Sequence, residues 1–214
     1  MKITDNIYSL DFATHSHAFL INENGRFTMI DTGLKTNINK IIMELHSFAI
    51  GEEDIKNILL THGDVDHIGN LKNLQKRLNC SIYADINEIP YLAKKKRYSL
   101  RKWLFKVILH IPKFEQIKPL PKKQIGDIEI IKTPGHTPGH VCYKYQDYMF
   151  VGDLINTRGG KIQQMSEKFT MDQPQSLQSI KAIDMSNIKY ICPAHGDIIN
   201  AHPQWEEFIR GLSN

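Results

Sequence analysis

Seven side chains in this sequence have the types and placement needed to hold metal ions. His62, Asp64, Asp66 and His67 follow directly on the apolar run Ile55-Lys56-Asn57-Ile58-Leu59-Leu60. His136 lies in Thr133-Pro134-Gly135-His136-Thr137-Pro138-Gly139-His140, Asp153 follows Met149-Phe150-Val151-Gly152, and His195 lies in Pro193-Ala194-His195-Gly196-Asp197. Imidazoles and carboxylates at strand ends, gathered in a cleft, form a site for a divalent or trivalent cation. Gly63, Gly135, Gly152 and Gly196 flank these residues, and small neighbours let the backbone turn sharply beside a ligand. Other polar residues stand close in sequence. His140 reads as a turn-stabilising group or as support for a ligand. Asp31, in Asp31-Thr32-Gly33, reads as support for a ligand or a loop. His17, just before a strand-like run, is a candidate substrate contact, with a solvent-facing imidazole as the plain alternative. His46, His110 and His202 fit helix faces.

The elements that must position these groups are legible from pattern. Ile7–Phe12, His17–Ile21 and Phe27–Asp31 are short, aromatic or β-branched, and separated by turn formers such as Glu23-Asn24-Gly25. Ile38, Ile41, Ile42, Leu45 and Phe48 share one helical face, with Gly51 as the expected stop. Residues 55–60 read as a buried strand. A helix carrying Ile68, Leu71, Leu74 and Leu78 follows, then a strand over 80–85. Further strands are expected at 125–133, 141–145 and 148–153. A helix begun by Pro174, a strand over 189–195 and a closing helix begun by Pro203 complete the chain. Such alternation suits two sheets packed together with helices outside, in a single domain spanning 1–214.

Composition narrows the class. At 214 residues the chain can bury roughly 70% of its unfolded surface. With 41% hydrophobic and 23% charged residues, disorder is excluded as its main state. Cys80, Cys142 and Cys192 are too few and too scattered for a disulfide framework and read as small buried apolar groups. The N-terminus lacks a signal-peptide core, and no apolar run approaches the roughly 18–20 residues of a membrane span. A soluble, cytoplasmic protein is the expectation.

The net charge of +4 is unevenly spread. Residues 85–123 hold eleven Lys or Arg against three acids, a local +8 that leaves −4 for the remainder. Within this basic insert Leu100, Trp103, Leu104, Val107, Ile108 and Ile111 recur at helical spacing, with Arg97, Arg101, Lys102 and Lys106 on another face. The stripe suits docking on the protein's own core. Alternatives are a lid or dimer contact, or attraction of residues 94–111 to an anionic membrane surface or metabolite. Nucleic acid is not expected, because no base-stacking motif accompanies the charge. The oligomeric state is not readable.

Taken together, the motifs resemble the metallo-β-lactamase-fold hydrolases. That family's first motif, T-H-x-H-x-D-H, stands here as Thr61-His62-Gly63-Asp64-Val65-Asp66-His67. The family's early D-T-G turn stands at Asp31-Thr32-Gly33, and its P-G-H-T-x-G-H turn, post-strand Asp and late His follow the first motif in order at His136, Asp153 and His195. The resemblance implies an α/β fold of four αββα layers. It implies a first metal on His62, His136 and the residue at position 64, a second on Asp66, His67 and His195, and Asp153 bridging. It further implies that a water between two divalent ions, zinc first and iron or manganese as alternatives, attacks the substrate, with Asp66 orienting the water or taking its proton.

Asp64 departs from the family pattern, which has His there. An Asp oxygen reaches about as far from the backbone as the nearer imidazole nitrogen, so Asp64 is expected to ligate. It replaces a neutral donor by a harder anionic one and leans the first site toward iron or manganese. The plain alternative is a weakened site. The expected activity is hydrolysis of an ester, thioester or lactone of a small molecule, with an anionic one suited to the basic insert. Phosphodiester hydrolysis, di-iron redox chemistry like that of the flavodiiron branch and an inactive metal-binding module are the other readings.

Overall fold

The computed structural model describes the chain apart from residues 14, 99–106, 109–111 and 213–214. It divides into two compact units, Met1–Leu120 and Pro121–Asn214. Most of the expected amphipathic helix of the basic insert lies outside the described residues. Among those described, no helix is long and apolar enough to cross a membrane.

The first unit is built on a six-stranded sheet in sequence order: β1 (Ile7–Leu10), β2 (Ala18–Glu23), β3 (Arg26–Ile30), β4 (Ile55–Leu59), β5 (Ser81–Ala84) and β6 (Lys118–Pro119). β1 to β3 form an antiparallel meander, whereas β3, β4, β5 and β6 run parallel. The parallel part needs crossovers, and these carry the helices α1 (Ile38–Ser47), α2 (Val65–Ile68), α3 (Leu71–Arg77) and α4 (Ile89–Leu92). Leu20, Met29, Ile58, Ile41, Leu45 and Leu74 belong to one buried apolar cluster.

Local chemistry sets the boundaries. Asn37 caps α1, its side chain accepting from the Asn39 amide at 2.9 Å. The stop is Ala49 rather than Gly51: Ala49 takes φ +58°, and the amides of Ala49 and Ile50 bond back to His46 and Leu45. The helix expected after the first motif is two helices, α2 and α3. Asn70 separates them, donating to the carbonyls of Thr32 and Leu34 while accepting from the Thr36 amide.

The second unit holds another six-stranded sheet, ordered β14-β13-β10-β9-β8-β7. Its strands are β7 (Gln124–Ile125), β8 (Ile128–Lys132), β9 (Val141–Tyr145), β10 (Tyr148–Gly152), β13 (Tyr190–Pro193) and β14 (Ile199–Asn200). A separate hairpin of β11 (Ile155–Arg158) and β12 (Lys161–Gln164) turns at Gly159-Gly160. The sequence reading missed it because Asn156, Gln163 and Gln164 interrupt any apolar alternation. α5 (Gln173–Ala182) starts at Asp172, whose carboxylate accepts from the Gln175 amide, with Pro174 in the first turn. α6 (Gln204–Gly211) follows Pro203. Met149, Val151, Ile180, Ile191 and Trp205 lie in the apolar cluster of this unit.

Candidate metal centre

In the first unit, the parallel strands β3, β4 and β5 end at the same sheet edge. The segments that leave them carry Asp31, His62 and Glu88. Carboxyl ends of parallel strands are where an α/β sheet places binding groups. β4 runs into Thr61-His62-Gly63-Asp64, and Asp64 is the N-cap residue of α2. The Asp64 carbonyl accepts from the His67 and Ile68 amides, but its side chain makes no capping bond. Instead Asp64 Oδ2 stands 3.5 Å from His62 Nε2. Asp66 Oδ2 stands 3.9 Å from His67 Nε2. Both imidazoles are fully buried.

A hydrogen-bond relay fixes which nitrogen each ring presents. Asp31 accepts the Thr61 amide at 2.8 Å and the Thr61 hydroxyl at 2.6 Å. Its Oδ2 also lies 2.8 Å from His67 Nδ1, which therefore carries the proton and donates. The Thr61 hydroxyl has one proton and spends it on Asp31. The contact of 3.0 Å between Thr61 Oγ1 and His62 Nδ1 is then a bond donated by His62. Both rings carry their proton on Nδ1 and direct a lone pair from Nε2. Asp31 reaches this arrangement from a left-handed backbone conformation, φ +56°. Thr32 ties the far side, its amide and hydroxyl both donating to the His67 carbonyl.

In the second unit, β8, β10 and β13 also end at one sheet edge, because β8 and β10 are both antiparallel to β9 and β13 is parallel to β10. The 133–140 turn leaving β8 carries His136, the residue after β10 is Asp153, and the loop leaving β13 carries His195. Asp153 Oδ2 is 3.3 Å from His136 Nε2, and Asp153 Oδ1 is 3.3 Å from His195 Nε2. One buried carboxylate thus addresses two imidazoles with different oxygens. Close packing forces glycine beside these groups. A methyl at Gly135, φ +137°, would overlap the Ser176 backbone of α5, and one at Gly196, φ +103°, would overlap the Thr157 carbonyl. Thr157 holds the His195 loop, its amide bonding to the His195 carbonyl and its hydroxyl to that of Asp197.

His140 has a definite role here. The Asp153 amide donates to His140 Nε2 at 3.1 Å, so Nδ1 carries the ring proton and faces Thr133 Oγ1 at 2.8 Å. This buried imidazole ties the 133–140 turn to the backbone that presents Asp153. His17 is half-buried and lies 3.4 Å from Ser9 Oγ, while the neighbouring Ser16 hydroxyl donates to the Asp66 carbonyl.

The donor chemistry fits metal binding. The hydrogen bonds that Asp31 accepts and the one from the Asp153 amide to His140 stand 2.6–3.1 Å apart, whereas the pairs Asp64–His62, Asp66–His67, Asp153–His136 and Asp153–His195 stand 3.3–3.9 Å apart. Two atoms each about 2.1 Å from one tetrahedral ion lie about 3.4 Å apart. Sequence reasoning missed Thr61, Asn70 and Glu88 as supporting residues. Only Thr61, inside the first motif, carried a signal.

Comparison with known proteins agrees with these features. The family model described as the metallo-beta-lactamase superfamily matches residues 12–195. The probable metallo-hydrolase YybB of Bacillus subtilis is 29% identical over 188 residues, 86% of this chain and 81% of that protein. A probable polyketide biosynthesis zinc-dependent hydrolase, BaeB of Bacillus velezensis, is 27% identical over 84% of this chain and 72% of its own length. The hydroxyacylglutathione hydrolase of Buchnera aphidicola is 28% identical over 82% of this chain, which spans 60% of that protein. Among solved structures, an archaeal metallo-beta-lactamase superfamily protein from Sulfolobus tokodaii superposes with a TM-score of 0.75 at 20% identity, covering 99% of this chain and 87% of that one. This likeness shows the fold.

Proposed function

Since the chain belongs to the metallo-beta-lactamase superfamily and is a metallo-hydrolase, we propose that it hydrolyses an acyl substrate, an ester, thioester or lactone, at a binuclear metal centre. The observation that carries this reading is the pair of 3.3 Å distances from the two oxygens of Asp153 to His136 and His195. A carboxylate with one oxygen toward each of two imidazoles suits a bridge between two ions. In this reading, as the family's motifs imply, His62, Asp64 and His136 would hold one ion and Asp66, His67 and His195 the other, with Asp153 shared between them. Bound divalent ions supply Lewis acidity and lower the pKa of water toward neutrality.

The chain's own residues do the rest. Asp31 and Thr61 hold the protons of His62 and His67 on Nδ1 and keep both Nε2 atoms as donors. Asp66 carries its carboxylate at the partly exposed end of the His67 pair, where it can take a proton from water and hand it on. His140 fixes the backbone of Asp153. An acyl substrate is favoured because one relative is named for hydrolysis of hydroxyacylglutathione. Zinc is favoured because another is named as zinc-dependent. The oxygen donor at Asp64 favours iron or manganese as the competing occupants.

The test is metal content of freshly purified protein by inductively coupled plasma mass spectrometry, followed by an ester, thioester, lactone and phosphodiester panel. About two zinc ions per chain with turnover of an acyl substrate is the expected result. Two irons per chain without hydrolytic turnover replaces this reading by redox chemistry. One metal or none after reconstitution overturns the binuclear centre.

A further inference from the structure

Gly63, between His62 and Asp64, sits on a buried pair that no motif announces. Glu88 follows β5 and is completely buried, although it lies in the basic segment of the sequence. Its Oε1 accepts from the Gly63 amide at 2.8 Å and from the hydroxyl of Tyr98. Tyr98 is also buried, and its ring stacks on Tyr91 with centroids 4.4 Å apart and planes 13° from parallel. A methyl on Gly63 would overlap the Tyr98 hydroxyl and would lie 2.9 Å from Leu92 Cδ2 and 3.0 Å from Glu88 Oε1. Glycine at 63 is therefore what lets these side chains touch the backbone between two proposed ligands.

Burying a carboxylate is expensive, and a well-packed apolar side chain would stabilise the fold at least as well. Glu88 is more informative as a constraint on position. One oxygen receives both bonds, so the Gly63 amide and the Tyr98 hydroxyl are referred to a single point. Burial, and then the neighbouring charges of Glu88 and Asp64, hold the Tyr98 phenol well above its ordinary pKa, so it stays a proton donor across the working pH range. The Asp64 side chain is short, so where its carboxylate stands follows from where the loop places its backbone.

We propose that Glu88 and Tyr98 are positioning residues for the His62–Asp64 loop, setting the metal affinity and ligand geometry of the site to which those residues belong. The proposal rests on the reading of His62 and Asp64 as ligands. It also gives the basic segment a connection to the metal centre, since Tyr98 directly follows Lys94-Lys95-Lys96-Arg97.

The experiment reconstitutes metal-free full-length chain with Co(II) alone. It measures affinity by chelator competition and coordination by visible absorption, for the parent, Tyr98→Phe, Glu88→Gln and His62→Ala. Tyr98→Phe is expected to weaken one of two Co(II) sites about tenfold and to shift its absorption bands, as loss of groups that orient ligands does. Glu88→Gln keeps an amide oxygen able to accept both bonds and is expected to stay within about threefold of the parent. Parent-like affinity and spectrum in Tyr98→Phe, with a metal lost from His62→Ala, overturns the proposal and leaves the metal-site reading standing. Two metals retained by His62→Ala overturns the metal-site reading itself. Should Tyr98→Phe not fold, Gly63→Ala makes the same test from the other side, because its methyl displaces the loop from Tyr98. Parent-like Co(II) binding in that variant overturns the proposal equally.

Discussion

The hydroxyl of Thr61 lies 2.6 Å from Asp31 Oδ2, and that same oxygen lies 2.8 Å from Nδ1 of His67. One carboxylate thereby sets the tautomer of two imidazoles, His67 directly and His62 through Thr61. The consequence is specific to the hydroxyl. Thr61→Val keeps the β-branched shape and removes the relay, and should lower metal affinity about 10- to 100-fold. Thr61→Ser restores the oxygen and should recover most of it. Competition against a metallochromic chelator reads both variants. Equal affinities for Val and Ser at position 61 would show that the relay does not govern the rings.

Asp153 makes the sharpest stoichiometric prediction. If its two oxygens serve two ions, Asp153→Ala removes a ligand from each and should reduce bound metal from about two to one or fewer. His195→Ala removes a ligand from one ion and should leave about one. Metal analysis after dialysis against a metal-free buffer reads both variants. Two ions retained by Asp153→Ala would refute bridging.

His140 illustrates why part of this site was legible and part was not. The ligand candidates announce themselves because histidines and aspartates at strand ends are scarce and stand in ordered motifs. Their supports act across sequence distance: Asp31 and His67 are separated by 36 positions, Gly63 and Glu88 by 25. Asp31 and His140 are legible as supports from the turns that carry them, but no local pattern names the partners they reach. The fold followed the same division. Apolar alternation located the central strands, whereas Ala49 in a left-handed turn, the Asn70 break between α2 and α3, and the β11–β12 hairpin depend on local capping bonds, tertiary bonds and a glycine turn rather than on periodicity.

For His140 the expected cost of substitution is structural. His140→Ala leaves the buried Asp153 amide without its acceptor, which costs about 1–3 kcal/mol. A chain of this size loses about 2–4 °C of melting temperature per kcal/mol. His140→Gln, whose side-chain oxygen can accept from the same amide, should lose less. Thermal unfolding of the metal-free proteins checks this, and an unchanged midpoint in His140→Ala would remove the assigned role.

The cysteines should be chemically quiet in the folded state. Burial pushes the Cys142 thiol up to about 12 and the Cys80 thiol up to about 11, and raises Cys192 as well. The thiolate is the reactive form, so little is present at neutral pH. Titration with an aromatic disulfide reagent should be slow under native conditions and reach three thiols per chain only on unfolding. Rapid native reaction of Cys142 or Cys192 would contradict their burial.

A pH effect on stability is expected at His202, seven residues beyond His195 in sequence. His202 hydrogen-bonds to Glu206, chiefly for that reason its pKa lies above the ordinary 6.5, and the Met185 carbonyl 3.1 Å from Nε2 adds to the shift. A group raised on folding stabilises fully below its unfolded pKa, and that contribution is lost as pH rises through the folded value. Glu206 is lowered from 4.5, first by its own backbone bond and then by His202, so its contribution is present above 4.5 and is lost as pH falls through the lowered value. The pair is therefore worth most between about 4.5 and 6.5 and fades toward alkaline pH. The effect is small because both side chains are largely exposed and water screens them. Urea unfolding of the parent and His202→Ala at pH 5.5 and 8.5 should show a stability gap that narrows at the higher pH. A gap that widens there would mean that neutral His202, rather than its ion pair, supports the loop before α6.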